Sequence, residues 1–517
     1  MSNTIRVGIP RWLMRFFGGF ALIVLTSPQL IAEANGSAAP DGDQACSAFE
    51  THKLAADGAA AGDRFGHSVA LSGEVAVVGV PGDDTLASDA GSAYVYRLDG
   101  GAWLRETQLT AADGVALDHF GQAVAASGDV VIVGAPDGDG VQLGTGLAYV
   151  YRLDEGTWLL EAKLMPADGL AGDKFGDYVA VLGDVALVGA PSAGGSAGAV
   201  YVFRFDGSHW VPGGKLVPLD STAGDQFGRS IALRGQTALI AAPFDDDRGT
   251  DSGAVYVYRW VGDVWTQEGK LTASDAAAQD RFGRSVALSD DLAVIGSPED
   301  DDRGSNSGSV YLFGYDGSAW VQAAKFTAAD GAAGDRFGDA VARRPVGGGG
   351  ALNTGSVYLY YFSQSAWAPL AKVGASDRAA GDAFGWPVAL GGEVCLVGAW
   401  QDDDGGFSSG SAFAFHGVAD CNGNGGLDLC DLGNGSSEDL NGNHVPDECD
   451  PDCNGNGVPD DLDIRWQTSA DCNGNRVPDE CDIAAGVSGD CNENGVPDEC
   501  DIASGTSGDC DGNGVPD

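Results

Sequence analysis

Asp63-Arg64-Phe65-Gly66 is the stretch that decides the fold, because the pattern Asp-x-Phe-Gly returns along most of the chain. Successive copies are 55, 55, 52, 55, 55 and 47 residues apart, with phenylalanines at Phe65, Phe120, Phe175, Phe227, Phe282, Phe337 and Phe384. Repeats of this length with several short strands are typical of propeller blades, whereas helical solenoids repeat faster and show helical periodicity. Seven copies predict a seven-bladed ring.

Each repeat contains four apolar or alternating runs separated by turns rich in glycine and aspartate. In the first repeat these runs are 67–71, 74–81, 93–98 and 103–109. The second is almost continuously apolar, as expected of a strand between neighbouring blades, while the fourth mixes charged and apolar residues like an outer edge. A tryptophan in the fourth run is predicted to pack between blades. The sequence therefore predicts an all-β fold of four-stranded antiparallel blades.

The last repeat has no fourth run of its own, because the composition changes after residues 411–415. Residues 49–55 precede the first Phe-Gly and match the outer strand at 104–110. We predict that this N-terminal strand completes the seventh blade and closes the ring, which removes exposed sheet edges. The predicted propeller covers residues 46–417.

Two of the eleven cysteines, Cys46 and Cys395, belong to this predicted propeller, and the other nine follow it. Ring closure would bring Cys46 near Cys421, so we expect a disulfide between them. Cys395 lies in an apolar run and is predicted to be a buried free thiol.

The sixth repeat departs from the pattern. At residues 342–350 the sequence is Ala-Arg-Arg-Pro-Val-Gly-Gly-Gly-Gly, where the apolar second strand and its acidic loop are expected. The sequence predicts one damaged or shortened blade.

Residues 1–34 have the features of a secretory signal peptide. Three arginines precede an apolar run at 16–25, and Ala32-Glu33-Ala34 offers a small-x-small cleavage pattern. Ten apolar residues are too few to span a bilayer as a helix, although an uncleaved anchor is the alternative. With residues 35–45 as a linker, we expect a secreted or cell-surface protein whose mature chain has no transmembrane segment and is permitted to form disulfides.

The formal charge of −47 over 517 residues argues against nucleic acid and anionic lipid as partners. Aspartates gather between the second and third strands of repeats one, two, four, five and seven, and these loops would surround one mouth of the propeller. Such clusters repel each other unless cations sit among them; solvated acidic turns are the alternative. The possible propeller-face cation sites are Asp245, Asp246, Asp247, Asp300, Asp301, Asp302, Asp402, Asp403 and Asp404.

The aspartate of Asp-x-Phe-Gly is present in all seven copies. A catalytic group would be needed once. We therefore expect this aspartate to accept backbone N–H bonds at the turn that leads into each first strand.

The repeats resemble the FG-GAP repeat family. The resemblance rests on Phe-Gly before the first strand, on Gly134-Ala135-Pro136 and Gly189-Ala190-Pro191 at the end of the second, and on Val-Tyr-Val-Tyr in the third. The family includes the integrin alpha-subunit propeller, so the resemblance implies a seven-bladed extracellular binder of protein ligands. Integrin-type repeats usually carry a calcium loop between strands one and two, but the link at 71–74 is too short for one.

From Asp420 onward, twenty-four acidic residues stand against Arg465 and Arg476, and the segment cannot build an apolar core. Residues 452–463 place oxygen-bearing side chains at positions 1, 3, 5, 9 and 12, a carbonyl at 7 and glycine at 6, which is the spacing of a loop that wraps calcium. A sixth copy begins at Asp509. The predicted calcium ligands of five copies are Asp420, Asn422, Asn424, Asp428 and Asp431; Asp439, Asn441, Asn443, Asp447 and Asp450; Asp452, Asn454, Asn456, Asp460 and Asp463; Asp471, Asn473, Asn475, Asp479 and Asp482; and Asp490, Asn492, Asn494, Asp498 and Asp501.

This tail, residues 418–517, resembles thrombospondin type 3 repeats, which implies a string of calcium loops stapled by disulfides; a disordered acidic linker is the alternative. His444 and Arg476 replace the glycine at position 6, so those two sites are expected to be weaker. We expect dissociation constants of about 10⁻⁴–10⁻³ M, because aspartate replaces glutamate at position 12. Cysteine pairing could run within a loop, as in Cys472–Cys481, or between loops, as in Cys481–Cys491 and Cys500–Cys510.

These patterns predict a non-enzymatic, exported, calcium-binding surface or matrix protein that mediates adhesion or binds a protein or glycan through its propeller face. One alternative is an extracellular enzyme that acts on polysaccharides, since aspartates crowd one face and acid pairs remain open. Another is a propeller that serves as a spacer for a docking tail. Against catalysis, no zinc or triad spacing occurs, and the histidines lie at unrelated loop positions: His67, His119, His209 and His416.

Overall fold

The computed structural model describes residues 22–26 and 50–505, apart from residues 57, 329, 343–354, 364–365, 378, 380, 392–393, 417–427, 429–430, 433–434, 444, 475, 486 and 492–493. The chain divides into two compact units, Met1–His416 and Gly417–Asp517. The predicted leader outside 22–26, the linker and both Cys46 and Cys421 lie outside the described residues.

The first unit is built from antiparallel sheets in which consecutive strands are neighbours. The strands are, in blade one, Ser68–Ser72, Val75–Val80, Ser92–Asp99 and Ala102–Leu109; in blade two, Ala123–Ser127, Val130–Ala135, Leu147–Asp154 and Thr157–Leu164; in blade three, Tyr178–Leu182, Val185–Ala190, Ala199–Phe205 and Trp210–Leu216; in blade four, Ser230–Arg234, Thr237–Ala242, Ala254–Val261 and Val264–Leu271; in blade five, Ser285–Leu288, Leu292–Ser297, Ser309–Tyr315 and Trp320–Phe326; in the sixth sheet, Val357–Ser363 and Ala366–Val373 with Leu22–Thr26; and in blade seven, Val388–Gly391, Val394–Ala399, Ser411–Phe415 and His52–Leu54. A short helical segment, Ala193–Ser196, lies between the second and third strands of blade three.

The prediction of seven four-stranded blades is wrong for the sixth repeat. In the described residues, which leave out 343–354, six sheets have four strands, and the sheet of the sixth repeat has three, with Leu22–Thr26 antiparallel to Val357–Ser363. The physical reason lies in residues 342–350, where arginines, a proline and four glycines replace the β-branched residues of a strand. Leu22–Thr26 belongs to the apolar run of the predicted leader, so cleavage after residue 34 and this pairing exclude each other.

Neighbouring blades are joined at the Phe-Gly motif. The Phe120 N–H donates to the Ala90 carbonyl of blade one at 2.9 Å, and the Phe65 N–H donates to the Ser409 carbonyl of blade seven at 2.9 Å. The second contact joins the last blade to the first. At Gly66, φ is +85°, and an added Cβ would lie 2.3 Å from the Ser411 carbonyl oxygen. Glycine therefore permits the close approach of the two blades.

The N-terminal strand closes the ring as predicted. His52–Leu54 pairs antiparallel with Ser411–Phe415, and Lys53 stands opposite Phe413. The Thr51 N–H extends this ladder by donating to the Ala414 carbonyl at 2.8 Å. The last blade thus takes its outer strand from the beginning of the chain, which leaves no exposed edge there.

The apolar core lies between adjacent blades. In the cluster between blades one and two, Val77 packs with Val133 and Trp158. The Trp158 indole N–H donates to Glu106 Oε2 on the outer strand of blade one at 2.8 Å. The predicted packing role of this tryptophan is confirmed. Because each interface buries the apolar second strands of two blades, ring stability comes from hydrophobic burial between neighbours.

The second unit contains short helices that begin at position 9 of the predicted calcium loops. They are Asp460–Trp466, Asp479–Ala485 and Asp498–Ser504, and Asp447–Cys449 forms a 3₁₀ turn. Nowhere in the described parts of the chain is there a helix with the length and apolar character needed to span a bilayer.

Candidate functional site

The acidic loops of the propeller hold lysines. In blade four, the Lys270 ammonium at the end of the outer strand lies 2.9 Å from Asp220, 2.7 Å from Asp245 and 2.5 Å from Asp247. Asp245 is 2% exposed, and the Tyr256 hydroxyl also donates to it at 3.0 Å. A buried carboxylate requires a charge partner or several donors. Here the chain supplies both.

The same arrangement recurs in two more blades. The members are Lys325 with Asp275, Asp300 and Asp302 in blade five, and Lys53 with Asp377, Asp402 and Asp404 in blade seven. Burial alone would lower the pKa of Lys53, but hydrogen bonds to three carboxylates outweigh it and raise that pKa above its usual value. The lysine stays charged. We call these three groups the lysine cages.

The middle aspartate of each acidic triplet shapes the loop. Asp246, Asp301 and Asp403 each accept the backbone N–H of the residue five positions later, at 2.8, 2.7 and 2.7 Å. Closely spaced carboxylates repel each other unless positive charge lies among them, and a lysine provides that charge in blades four, five and seven. Each of the nine predicted propeller-face cation ligands thus contacts a lysine or a backbone N–H of the chain itself. Whether a divalent ion also binds there stays a prediction.

The aspartate of Asp-x-Phe-Gly caps a turn, as predicted. Asp63 accepts the Ala60 N–H at 2.7 Å, and Asp280 accepts the Ala277 N–H at 2.7 Å. Burial raises the pKa of Asp280 to about 6, with the nearby Asp300 carboxylate adding to the shift. Burial likewise raises the pKa of Asp382 to about 6. These carboxyls hold backbone geometry at the entrance to each first strand.

A narrow apolar channel runs along the propeller axis. Its volume is about 220 Å³, and all its lining residues are alanine, valine, leucine or isoleucine from the first strands. The sixth repeat contributes Val341 and Ala342 to this lining, so seven repeats surround the axis although six sheets have four strands.

Polar side chains lie at the Phe-Gly end of this channel. They belong to the residue after each Phe-Gly: His67, Gln122, Asp177, Arg229, Arg284, Asp339 and Trp386. Arg284 Nε lies 3.2 Å from Asp339 Oδ1 and ties blade five to the sixth repeat. Burial lowers the pKa of His67 to about 4, so this imidazole is neutral near pH 7.

Sequence reasoning missed this ring and the one just outside it, formed by the x of Asp-x-Phe-Gly. The available clue was that two positions of the motif vary between repeats while the other three do not. Asp, Phe and Gly recur in every copy, whereas the residues at x and after the glycine change from copy to copy. In a repeat protein, positions that differ in a fixed framework are where one blade can act differently from another.

The other three histidines that bear on the enzyme alternative lie in surroundings that differ from one another and from that of His67. His119 Nδ1 is 2.9 Å from Asp137, and His416 Nε2 accepts the Trp103 indole N–H at 2.9 Å. His209 lies in an exposed turn beside Ser208.

In the second unit, the structure brings the predicted calcium ligands together. In the loop from Asp452, Asp463 Oδ2 accepts the amide N–H groups of Asn454 and Asn456 at 2.9 and 2.7 Å. Asp452 Oδ2 accepts the Gly457 N–H at 2.8 Å. Asp460 Oδ1 accepts the Cys453 N–H at 3.0 Å and begins the following helix. Positions 1, 3, 5, 9 and 12 thus belong to one compact loop.

The other described copies close in the same way. The carboxylate at position 12 accepts an amide from position 3 or 5 in the pairs Asn441–Asp450 at 2.8 Å, Asn473–Asp482 at 2.8 Å and Asn494–Asp501 at 2.7 Å. Among the predicted ligands, Asp420, Asn422, Asn424, Asn475 and Asn492 lie outside the described residues, as does the copy from Asp509.

Positions 9 and 12 are buried in four of the five copies. These buried carboxylates are Asp428, Asp431, Asp460, Asp463, Asp479, Asp482, Asp498 and Asp501. The whole segment from Asp420 has two arginines and no lysine. Charges of this kind are costly to bury without a cation. Carboxylate and amide oxygens at these spacings are ligands that calcium prefers, so the donor set fits that ion.

Neither predicted disulfide pattern is correct for the described cysteines. The bonds join Cys453 to Cys481 and Cys472 to Cys500, each across 28 residues. Position 2 of one loop is therefore bonded to position 11 of the next. The reason is that a helix begins at position 9, which places the buried Cys481 and Cys500 on the helix. Cys395 is free and buried, as predicted.

Comparison with known proteins supports the repeat assignment. The FG-GAP repeat profile matches residues 49–96, 103–151, 158–203, 210–258, 265–313, 320–360 and 367–415. Comparison with curated proteins finds no match. Among solved structures, the crystal structure of Saccharomyces cerevisiae Sqt1 is similar at 10% identity and a TM-score of 0.40, covering 72% of this chain and 99% of that one. A similarity of this size carries no argument about function.

Proposed function

The chain belongs to the FG-GAP repeat family, and from this premise we propose that it is an exported, non-enzymatic, calcium-binding surface or matrix protein. Its propeller face binds a protein or glycan in adhesion, and its tail is stiffened by calcium. The observation that carries the calcium half is the set of eight buried carboxylates in a segment without lysine.

Calcium would be held by the aspartates and asparagines of each tail loop. In the loop from Asp452, the side-chain amides of Asn454 and Asn456 donate to Asp463, and the Asn456 backbone N–H donates to Asp452. When bound, the ion supplies the positive charge that these carboxylates otherwise lack. The disulfides between consecutive loops limit how far one loop moves from the next.

The propeller supports the binding half of the proposal. Its ring is held by backbone contacts at Phe-Gly and by the lysine cages, so the loops of the Phe-Gly face stand on a rigid scaffold. Loops on such a scaffold are where binding residues are usually placed. Disulfides and FG-GAP repeats are compatible with an extracellular protein.

Capture of partners by the full-length chain tests the binding half. The chain would be immobilised and exposed to detergent-solubilised surface proteins and to glycans, with millimolar calcium or with chelator. The proposal expects a partner or glycan to be retained. A chain that retains neither, or that cleaves a polysaccharide in the same mixture, contradicts it.

The mass of the exported chain tests localisation. Cleavage after residue 34 predicts a chain beginning at Asn35, recovered outside the cytoplasm. An unprocessed cytoplasmic chain would contradict export and would leave Leu22–Thr26 in the sixth sheet.

A further inference from the structure

A ring of seven residues, five of them basic, surrounds the mouth of the central channel. It is formed by the x of each Asp-x-Phe-Gly, which in blades one to five stands four residues before the first strand. The seven members are Arg64, His119, Lys174, Gln226, Arg281, Arg336 and Ala383. We call this set the basic ring.

The basic ring has an excess of positive charge in a chain whose formal charge is −47. Its four fully charged members are Arg64, Lys174, Arg281 and Arg336. Two carboxylates pair with them: Asp137 contacts Lys174 and His119, and Glu299 lies 2.6 Å from both Arg281 and Arg336. Counted over these side chains alone, four positive charges stand against two negative charges.

These basic side chains stand on a backbone that normally favours glycine or asparagine. The φ angles are 60° at Arg64, 61° at Lys174, and 52° at both Arg281 and Arg336. Non-glycine residues in this left-handed region are uncommon, and the same conformation recurs at His119, Gln226 and Ala383, so the Phe-Gly turn imposes it on every copy. The turn fixes the backbone position of each x residue. The neighbouring side chains then decide where its side chain points.

Members of the basic ring already bind two carboxylates of the chain itself, Asp137 and Glu299. Asp137 and Glu299 each stand two residues after the end of the second strand, and each bridges the x residues of two adjacent repeats. In blade seven, the corresponding position is Gln401, which carries no charge, and the Arg64 guanidinium lies over the ring of the neighbouring Trp400 at 5.8 Å. No ion pair of Arg64 occurs among the residues that the structure describes.

Guanidinium donors also remain unused where a carboxylate is present. Arg281 Nη1 and Arg336 Nη2 donate to the same oxygen, Oε1 of Glu299. A guanidinium has five N–H donors and binds a carboxylate best with two in parallel. The Arg336 side chain is 44% exposed, and among the described residues it donates to Glu299 through Nη2 alone. The ring therefore has both the charge and the donors for further carboxylates.

We propose that the basic ring binds glutamate or aspartate side chains of an acidic peptide segment in a partner protein. The inference rests on the proposed binding function of the propeller face and names its ligand chemistry. Peptide carboxylates are favoured because the ring already binds two of them, Asp137 and Glu299, in the same manner. A long polyanion would be repelled by the rest of the chain, whereas a short acidic segment contacts the ring alone.

The test uses the full-length chain in chelator and a fluorescein-labelled glutamate octapeptide, followed by fluorescence anisotropy at low salt. The Arg64→Gln and Arg336→Gln variants are each expected to weaken binding about tenfold, the effect of losing one charge-assisted contact. Arg234→Gln is the matched control, because Arg234 forms one ion pair, with Asp290, away from the Phe-Gly end of the channel. It is expected to bind as the parent does.

Three results would overturn the inference. These are no binding by the parent chain, equal weakening in Arg234→Gln, or no weakening in either ring variant. Arg64 has no ion pair within the described part of the chain, and an unfolding midpoint equal to that of the parent shows that Arg64→Gln is folded. An oligogalacturonate of equal length is the second probe. Tighter ring-dependent binding of that glycan would contradict the peptide assignment.

Partner capture separates this inference from the proposed function. If the parent chain retains a surface partner and both ring variants retain it equally, the proposed function stands and the basic ring is excluded as its site. If the octapeptide binds the ring but no partner or glycan is retained, the basic ring is a carboxylate-binding site and the proposed function is contradicted.

Discussion

The propeller and the tail both concentrate aspartate, yet they treat its charge differently. In blade four, Asp245 is buried beside the Lys270 ammonium at 2.7 Å. In the tail, Asp463 is 1% exposed, and its carboxylate accepts hydrogen bonds from the neutral side chains of Asn454, Asn456 and Thr468. The difference teaches that acidic density alone does not define a metal site. What decides is whether the chain brings its own cation to the buried carboxylates.

Removing a cage lysine gives the largest expected effect, because it makes a propeller loop resemble a tail loop. Lys270→Met leaves Asp245 buried and unpaired, which should lower the free energy of unfolding by about 3 kcal/mol. Chemical denaturation measures the loss. Millimolar calcium should restore part of it, since three carboxylates would then face an empty position.

Lys215→Met is the matched control for that change. Lys215 lies over Tyr201 as Lys270 lies over Tyr256, but it pairs only with Asp168, whose side chain is 59% exposed. We expect a loss below about 1 kcal/mol and no response to calcium. Equal losses in the two variants would show that the cage is no more than a set of surface ion pairs.

Removing one tail carboxylate gives the next largest effect. Asp463→Asn retains the side-chain shape but removes the charge at position 12, and we expect calcium affinity at that loop to fall about tenfold or more. Equilibrium dialysis near the dissociation constant of the parent should show about one calcium fewer per chain. Asp461→Asn, the same change two residues earlier, should retain the parent stoichiometry. An unchanged count in Asp463→Asn would show that this carboxylate is not a ligand.

The motif aspartates form a third class of carboxylate and give the smallest effect. The pKa of Asp280 is raised from 3.8 to about 6, so the folded chain binds a proton more tightly than the unfolded chain does. The free energy of unfolding should therefore fall as pH rises through about 6. In Asp280→Asn this slope between pH 5 and 7 should be shallower, as measured by denaturation at several pH values. A steeper slope would contradict the assigned shift.

Much of the propeller could be predicted from sequence because its information is periodic. The Phe-Gly spacing gave the repeats, and the match of residues 49–55 to an outer strand gave ring closure. The lysine cages were within reach, since Lys163, Lys215, Lys270 and Lys325 recur near the repeat spacing, but their partners come from two different loops. Contacts between distant loops do not appear in the spacing of either one.

The tail shows the same limit at shorter range. The spacing of Asp452, Asn454, Asn456 and Asp463 predicted one compact loop, and the structure brings them together. The disulfide register could not be predicted, because it depends on where the helix after each loop begins. The sixth sheet was predicted to be damaged, but its pairing with Leu22–Thr26 requires a strand more than 300 residues away in sequence.

Hydrogen exchange of the full-length chain, with and without millimolar calcium, tests the central claim most directly. The account predicts that calcium slows amide exchange in the tail loops 439–450, 452–463, 471–482 and 490–501. It predicts no change in the lysine-cage loops 245–247, 300–302 and 402–404. Slower exchange in the cage loops, with the tail loops unaffected, would contradict it.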